Sequence, residues 1–235
     1  MTPLFGAAII ASYLLGSIPA AYLAGKSRGI DLRKHGSGNL GATNAIRVLG
    51  PPVGLLVFAF DVVKGILPAL VFAHWVPAAT LPVRDGPVIV AICCGLAAII
   101  GHVRPIYLKF GRGGKGVATA SGVFLALAPV QTLLTLIVFA VVLLSSGYVS
   151  LGSLTSAAIL PVLLAIGVGI RSPIFVLSVL VALFVFWTHR ANIARLRSGE
   201  EHRFGKRGVA TRRPVSSLAI GLVIVLAVLL AVRFG

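Results

Sequence analysis

Residues 117–146 read VATASGVFLALAPVQTLLTLIVFAVVLLSS, thirty consecutive residues without a charged side chain. A membrane-spanning helix needs roughly 20 apolar residues, within a range of about 17–25, so this stretch is too long for one ordinary span. Pro129 lies near its middle, where the missing N–H and the ring oppose a continuous helix. The sequence therefore predicts two shorter helices that separate at Pro129.

The rest of the chain is also apolar. Of its 235 residues, 58% are hydrophobic and only 11% are charged, whereas soluble domains carry about 25% charged residues. This composition predicts an all-α polytopic integral membrane protein that forms a single membrane domain over residues 1–235. The further apolar runs that predict helices are 4–24, 51–73, 87–103, 151–170, 172–188 and 215–232.

Polar residues gather in three segments between the apolar runs, residues 26–47, 102–116 and 189–213. These segments hold 17 of the 21 Lys and Arg residues. Because cytoplasmic loops are enriched in Lys and Arg, we expect all three segments on the cytoplasmic side. An even number of membrane crossings must then separate the second polar segment from the third. Two helices in place of one over 117–146 make that number even. We predict eight hydrophobic helices in total, with both termini outside.

The net charge of +16 has two sources other than nucleic-acid binding. The aromatic residues lie mainly in apolar runs rather than among the basic residues, which disfavours a groove for stacked bases. The cytoplasmic loops of a membrane protein account for part of the positive charge. Anionic substrates account for the rest.

The first polar segment contains GSGNLGATNAIR at residues 36–47. Its glycines let the backbone bend tightly and approach a ligand, and a helix that begins near Thr43 would direct N–H groups at an anion. A capped interhelical turn is the alternative, and the nearby Arg47 favours ligand binding. Ser37 lacks the glycines of the G-x-S-x-G nucleophile motif, since His35 and Asn39 occupy those positions. We therefore expect Ser37 to donate a hydrogen bond.

The second polar segment contains GRGGKG at residues 111–116. Consecutive glycines expose backbone N–H groups and Lys115 and Arg112 add charge, a combination that predicts phosphate binding. The nucleotide P-loop requires GxxxxGK[ST], but Lys109 stands at its first glycine and Gly116 follows the lysine, which disfavours ATP hydrolysis. His102 has two interpretations, a ligand contact or an interfacial histidine satisfied by backbone.

In the third polar segment, His189, Asn192 and Arg195 recur at intervals of three and line one helical face. A basic interfacial helix on anionic lipid headgroups is the alternative. Of the two acidic residues that follow, Glu200 and Glu201, we expect one to pair with an arginine.

Two ionisable residues, Asp61 and Lys64, lie three apart within the second apolar run. Charged groups at that depth are costly, so a functional role is one hypothesis. An intrahelical ion pair that faces the helix bundle is the other.

Taken in order, the motifs resemble the bacterial acyl-phosphate:glycerol-3-phosphate acyltransferase family over residues 10–205. The matching pieces are GSGNLGATNAIR at 36–47, GH at 101–102 with Pro105 and GGKGVAT at 113–119, and HRANIARL at 189–196 with Gly199 and Glu201. Two features depart from the family pattern. The glycine loop is one residue longer, because Gly111 and Arg112 both precede Gly113, and 215–232 adds a helix to the family's seven.

The resemblance implies transfer of a fatty acyl group from a long-chain acyl phosphate to the 1-hydroxyl of sn-glycerol 3-phosphate. The products would be lysophosphatidic acid and inorganic phosphate, in the first step of phospholipid synthesis, with no metal or organic cofactor. It further implies a multi-pass protein of the bacterial cytoplasmic membrane that contacts membrane lipids, faces its active site to the cytoplasm, and has no nucleic acid or obligate protein partner.

The family's functional residues carry over to matching positions of this chain. The catalytic residues would be Ser37, Arg47, Lys115, His189 and Asn192. The substrate- and phosphate-binding residues would be Gly38, Asn39, Gly41, Thr43, Asn44, His102, Gly113, Gly114, Gly116, Arg195 and Glu201. The general base has two candidates, His189 and a phosphate oxygen of the acceptor substrate, and we favour the substrate.

Two other classes of protein fit the sequence less well. The H-x-x-x-x-D signature of soluble-type glycerolipid acyltransferases is absent, because no histidine has an aspartate five residues later. A membrane transporter for phosphate or glycerol phosphate is the main alternative. Such a protein needs polar residues through the depth of the membrane, and Asp61 and Lys64 are the only deep candidates.

Overall fold

The structure, a computed structural model, describes residues 2–204, and every regular element in that range is helical. Short turns and 3-10 segments join the α-helices, among them the first loop (residues 35–41) and the glycine loop (residues 111–116). The predicted helix at 215–232 lies outside the described residues. The α-helices are α1 Pro3–Ser17, α2 Ala20–Lys26, α3 Ala42–Leu49, α4 Pro51–Leu70, α5 Gly86–Val103, α6 Val117–Leu127, α7 Pro129–Ser146, α8 Val149–Gly167, α9 Pro173–Thr188 and α10 Arg190–Ser198.

Five helical segments of the described chain are long and apolar enough to cross a membrane. The count becomes six if α9 and α10, which meet at a bend of 57°, form one broken span. The apolar helix α6 is shorter than these. The five segments are Pro3–Lys26, Pro51–Trp75, Gly86–Leu108, Pro129–Ser146 and Val149–Gly167.

Proline sets several helix boundaries. The predicted division of 117–146 is confirmed, since α6 ends at Leu127 and α7 begins at Pro129. The predicted run 4–24 corresponds to the candidate span Pro3–Lys26, but its helix is not continuous, because it is interrupted at Ile18 and Pro19 into α1 and α2. The physical reason is the same at both places: proline has no N–H to donate to the preceding turn.

The helices fall into two compact units that divide after Pro129. In the first unit, small residues allow helix backbones to approach closely, as is common between membrane helices. A Cβ on Gly16 of α1 would overlap the Ala98 backbone of α5. A Cβ on Gly65 of α4 would likewise overlap the carbonyl oxygen of Thr119 in α6. These contacts fix the positions of α5 and α6, the two helices that flank the glycine loop.

The second unit contains α7 to α10. An apolar cluster that includes Val142 of α7 and Leu163 of α8 forms part of its core, and α8 also packs against α9. Ser172 begins α9 as an N-cap, with its side chain accepting from the Ile174 N–H. His189 lies at the bend between α9 and α10, so the third motif begins where the apolar run 172–188 ends.

Candidate functional site

Asn44 shapes the first loop from the first turn of α3. The residue is 1% exposed, and its amide oxygen accepts from the backbone N–H of Ser37 at 2.9 Å. Its amide nitrogen donates to the carbonyl oxygens of His35 at 3.1 Å and Leu32 at 3.3 Å. Gly36 has a φ of +62°, and a Cβ there would overlap the Asn44 amide oxygen. Both polar atoms of the Asn44 side chain are thus engaged in holding the loop.

The residues around Asn44 are more accessible. Ser37 and Arg47 are exposed, and Thr43 is half-buried. Arg47 Nη1 lies 3.4 Å from the Asn44 amide oxygen. As predicted, a helix begins next to Thr43: α3 starts at Ala42, and the N–H groups of Ala42 and Thr43 precede the first intrahelical hydrogen bonds. The loop therefore offers a hydroxyl, an arginine and backbone donors in one short stretch.

The remaining predicted residues of the first loop are glycines and Asn39. Gly38 has a φ of +69°, in the left-handed region that favours glycine. Gly41 precedes α3 in an extended conformation and its carbonyl oxygen accepts from the N–H groups of Asn44 and Ala45.

The glycine loop packs closely on the C-terminal end of α5. The N–H of Gly113 donates to Val103 O at 3.0 Å, and the N–H of Gly114 donates to His102 O at 3.2 Å. A Cβ on Gly114 would overlap the His102 ring. The sequence predicted that these glycines expose their N–H groups, and this is wrong because α5 carbonyl oxygens accept both. The glycines are needed here for close packing.

Lys115 follows this packed stretch directly and is half-buried. Gly116 has a φ of +85° and is the N-cap residue of α6. The first N–H groups of α6 have no intrahelical acceptor, as at any helix start. A lysine beside a helix N-terminus makes an environment that favours a phosphate.

Asn39 joins the first loop to the glycine loop. Its Nδ2 donates to the carbonyl oxygen of Gly113 over 3.4 Å. Both loops belong to the first unit. The structure therefore brings the first two motifs together, although they are more than 70 residues apart in the sequence.

The deep charges of α4 form an ion pair. Lys64 Nζ lies 2.7 Å from Asp61 Oδ1, as the structural hypothesis predicted, and both residues are 2% exposed. His102 Nδ1 lies 3.4 Å from the same carboxylate oxygen. His102 is buried and faces Asp61, so the prediction of an interfacial histidine satisfied by backbone is wrong. The sequence indicated each residue separately but not that α4 and α5 bring them together.

In the second unit, His189 begins the third motif. It is 3% exposed, and its Nδ1 lies 2.8 Å from the carbonyl oxygen of Val185. A carbonyl only accepts, so Nδ1 carries the proton in this contact. In the neutral ring, Nε2 is then the basic nitrogen.

Asn192 and Arg195 share one acidic partner. The Asn192 side chain donates to Oε1 of Glu201, and Arg195 Nε donates to Oε2 at 2.7 Å. The predicted pairing of a glutamate with an arginine is confirmed at Glu201. Burial raises the pKa of Glu201, but hydrogen bonds from Asn192 and Arg195 outweigh burial and hold the pKa below its usual range. The carboxylate therefore fixes both side chains.

A glycine turn returns Glu201 to α10. Gly199 has a φ of +77°, and Arg195 O accepts from the N–H groups of both Glu200 and Glu201. Beyond the turn, Arg203 Nε donates to the Tyr148 hydroxyl at 3.1 Å. The turn and this contact fix the end of the third motif on the helices of the second unit.

No group of three or more His, Cys, Asp or Glu side chains within residues 2–204 is placed to hold a metal ion.

Comparison with known proteins identifies relatives over most of the chain. The family model described as "Glycerol-3-phosphate acyltransferase" matches residues 6–199. The chain is 44% identical to the glycerol-3-phosphate acyltransferase of Geotalea daltonii over 196 residues, which cover 83% of this chain and 95% of the relative. It is 41% identical to the glycerol-3-phosphate acyltransferase of Halalkalibacterium halodurans over 207 residues, which cover 86% of this chain and 97% of the relative.

Two crystal structures share the fold. Both are of PlsY, an integral membrane glycerol 3-phosphate acyltransferase, in its glycerol 3-phosphate and lysophosphatidic acid forms. The TM-scores are 0.77 and 0.73 and the identities 38% and 37%. Each match covers 86% of this chain, and the covered shares of the PlsY chains are 96% and 95%.

Proposed function

The chain belongs to the glycerol-3-phosphate acyltransferase family, and we propose that it transfers a fatty acyl group from a long-chain acyl phosphate to the 1-hydroxyl of sn-glycerol 3-phosphate. The enzyme class, acylation of glycerol 3-phosphate, rests on the family match over residues 6–199. The acyl-phosphate donor is supported by two cationic side chains, Arg47 in α3 and Lys115 beside the start of α6, which would suit a second phosphate besides that of glycerol 3-phosphate. The products would be 1-acyl-sn-glycerol 3-phosphate and inorganic phosphate.

The reaction balances without a further reactant. The acceptor oxygen attacks the carbonyl carbon, the bond from that carbon to the phosphate oxygen breaks, and phosphate leaves with the electron pair. The proton of the attacking hydroxyl goes to a phosphate oxygen of glycerol 3-phosphate, and His189 positions the acceptor. This assignment is favoured because Val185 O holds the His189 ring in one orientation, which suits positioning.

Lys115, Arg47 and the N–H groups at the start of α6 would stabilise the charge that develops on the carbonyl oxygen and the leaving phosphate. Ser37 and Asn192 would fix orientation as neutral donors. The phosphate-binding surface would be shaped or lined by Gly38, Asn39, Gly41, Thr43 and Gly116. Three further predicted binding residues would support other parts of the site instead of binding substrate. Asn44 would hold the first loop and His102 would hold the glycine loop. Glu201 would orient Asn192 and Arg195.

We also propose the topology stated from the sequence, a single multi-pass domain in the cytoplasmic membrane with its active site and the three motifs on the cytoplasmic side. Support comes from the Lys and Arg content of the motif segments. Single cysteines introduced at Arg28, Lys109 and Arg197, in a chain without Cys93 and Cys94, test it. Labelling of all three from the same side is expected, and labelling from opposite sides would overturn the topology.

The transporter alternative is not favoured, since the relatives described above are named as acyltransferases. The deep charges Asp61 and Lys64, on which that alternative depended, pair with each other.

The decisive assay uses purified protein in detergent with palmitoyl phosphate and glycerol 3-phosphate and no other addition. Phosphate release and lysophosphatidic acid formation are followed together, with palmitoyl-CoA as a parallel donor. Acceptor-dependent turnover with palmitoyl phosphate is expected. Turnover with palmitoyl-CoA alone would keep the acyltransferase class and overturn the proposed donor.

A further inference from the structure

The ion pair in α4 is joined to two irregular stretches of backbone. Lys64 Nζ donates to the carbonyl oxygen of Ile18 at 3.0 Å, at the break between α1 and α2. At the other end of the pair, the Asp61 carboxylate faces His102, whose ring lies against Gly114. A chain of polar contacts therefore runs from the broken first span to the glycine loop.

The His102 ring has two distinct edges in this arrangement. Nδ1 faces the Asp61 carboxylate, which can only accept when ionised, so Nδ1 carries a proton. The Nε2 edge lies beneath Gly114, where a Cβ would overlap it. The carboxylate thereby sets both the tautomer and the rotation of the ring, as second partners of functional histidines do.

We propose that Asp61 and His102 are positioning residues for the glycine loop, with His102 as the support on which Gly114 and the adjacent Lys115 are placed. Asp61 orients the ring. Lys64 only balances the charge of Asp61, which it ties to Ile18. Neither Asp61 nor His102 touches substrate; both act through the backbone of the loop. The inference rests on the proposed function because it assigns the loop to phosphate handling.

Burial argues for this role over a purely stabilising one. A buried ion pair contributes little net stability, because desolvation offsets the attraction between its charges. Placed at 2% exposure inside an apolar helix, this pair is a poor choice for stability alone. A side chain that orients His102 explains why a hydrogen-bond acceptor stands at this position.

Two double variants separate positioning from simple charge pairing. Asp61→Asn with Lys64→Met removes both charges but keeps an oxygen that accepts from His102 Nδ1. Asp61→Leu with Lys64→Met removes the charges and the acceptor. If positioning is correct, the Asn/Met variant keeps kcat/KM within about threefold of wild type, while the Leu/Met variant loses at least about tenfold, as expected when reacting groups are misplaced. Equal activity of the two folded variants would overturn the proposal.

Hydrogen–deuterium exchange gives a readout that does not depend on turnover. The N–H groups of Gly113 and Gly114 are bonded to α5 carbonyl oxygens, so their exchange reports loop placement. Faster exchange is expected in the Leu/Met variant and wild-type exchange in the Asn/Met variant. If the wild-type protein shows no turnover but the variants show this exchange pattern, the proposed reaction is wrong and the positioning role stands. If both variants exchange at the same rate, the positioning role is wrong.

His102→Ala provides a second route if the Leu/Met variant does not fold. It leaves the ion pair in place and removes only the ring beneath Gly114. The expected result is the same loss of kcat/KM and the same faster exchange at Gly113 and Gly114. Wild-type values of both measurements would overturn the proposal.

Discussion

The side-chain nitrogen of Asn192 donates to Glu201, nine residues later, and this contact holds a predicted catalytic amide in a single orientation. Arg195 takes the second oxygen of the same carboxylate. Because one carboxylate accepts from both side chains, the orientation of Asn192 depends on a residue that need not touch substrate.

Glu201→Gln should therefore lower activity with little effect on expression. An amide replaces one carboxylate oxygen with an NH2 group, so either Asn192 or Arg195 would face another donor at position 201 in the present geometry. We expect a fall in kcat of at least about tenfold. Glu200→Gln is the matched control, since Glu200 is exposed and accepts from Ser198. A Glu201→Gln enzyme with wild-type kcat would contradict this dependence.

The same carboxylate predicts a pH dependence of stability. Its pKa is lower in the folded protein than in the unfolded chain, where a glutamate titrates at about 4.3. Its contribution to stability is therefore complete above that value and is lost as the pH falls through the lower, folded value. Thermal unfolding of wild type in detergent should show this loss at acidic pH. Glu201→Gln should lack that part of the dependence, and an unchanged profile would count against the assignment.

Lys115→Ala should abolish most acyl transfer. Removal of one group that stabilises transition-state charge typically lowers kcat by about 100-fold to 1000-fold, and a loss in this range is expected here. Lys109→Asn is the control: Lys109 is exposed with a φ of 52°, a conformation that asparagine tolerates. Should both variants lose activity equally, the positive charge of the segment as a whole, rather than Lys115, would be what matters.

Gly114→Ala should reduce activity because the new methyl group would overlap the His102 ring and displace the loop. We expect at least about a tenfold loss of kcat/KM. Gly6→Ala in α1 is the control, since nothing lies within 4 Å of a Cβ there, and it should keep full activity. Full activity in Gly114→Ala would mean that the ring or the loop moves without consequence for the reaction.

Asn44→Ala should destabilise the protein, since the N–H of Ser37 and the carbonyl oxygens of Leu32 and His35 lose their shared partner. The carbonyl oxygens of Leu32 and His35 each keep one backbone donor, so the expected cost is that of the lost hydrogen bonds, about 0.5–1.5 kcal/mol for each. Asn39→Ala removes one contact of 3.4 Å and should have a smaller effect. Thermal unfolding of both variants compares them, and equal shifts would show that Asn44 is not the main support of the first loop.

Much of the helical organisation is predictable from the sequence because length and proline position decide it. A run of thirty residues cannot be one ordinary span, so Pro129 had to mark a break. Pro19 marks a break as well. Because the run from 4 to 24 has the length of one membrane span, its length gave no reason to predict that break. A helix start near Thr43 was the condition of the anion-binding hypothesis, and α3 begins one residue earlier, at Ala42.

The contacts of the candidate site were less predictable, because they depend on which helices pack together. Nothing near Asp61 in the sequence indicates that it faces His102, about 40 residues later. The glycines at 113 and 114 indicated a bend correctly, but exposure of their N–H groups was wrong, since the C-terminal end of α5 accepts both. Local composition identifies a loop, whereas the partners of its amides are set by the neighbouring helix.

The close approach of α4 and α6 at Gly65 and Thr119 also makes the glycine loop responsive to its lipid surroundings. With 11 residues, α6 is about 16 Å long, roughly half the thickness of a bilayer's hydrocarbon core. It therefore takes its depth from α4, which is long enough to cross. We therefore expect a bilayer that tilts α4 through hydrophobic mismatch to displace Lys115 as well, so that acyl-chain length in the host membrane would influence the proposed phosphate binding.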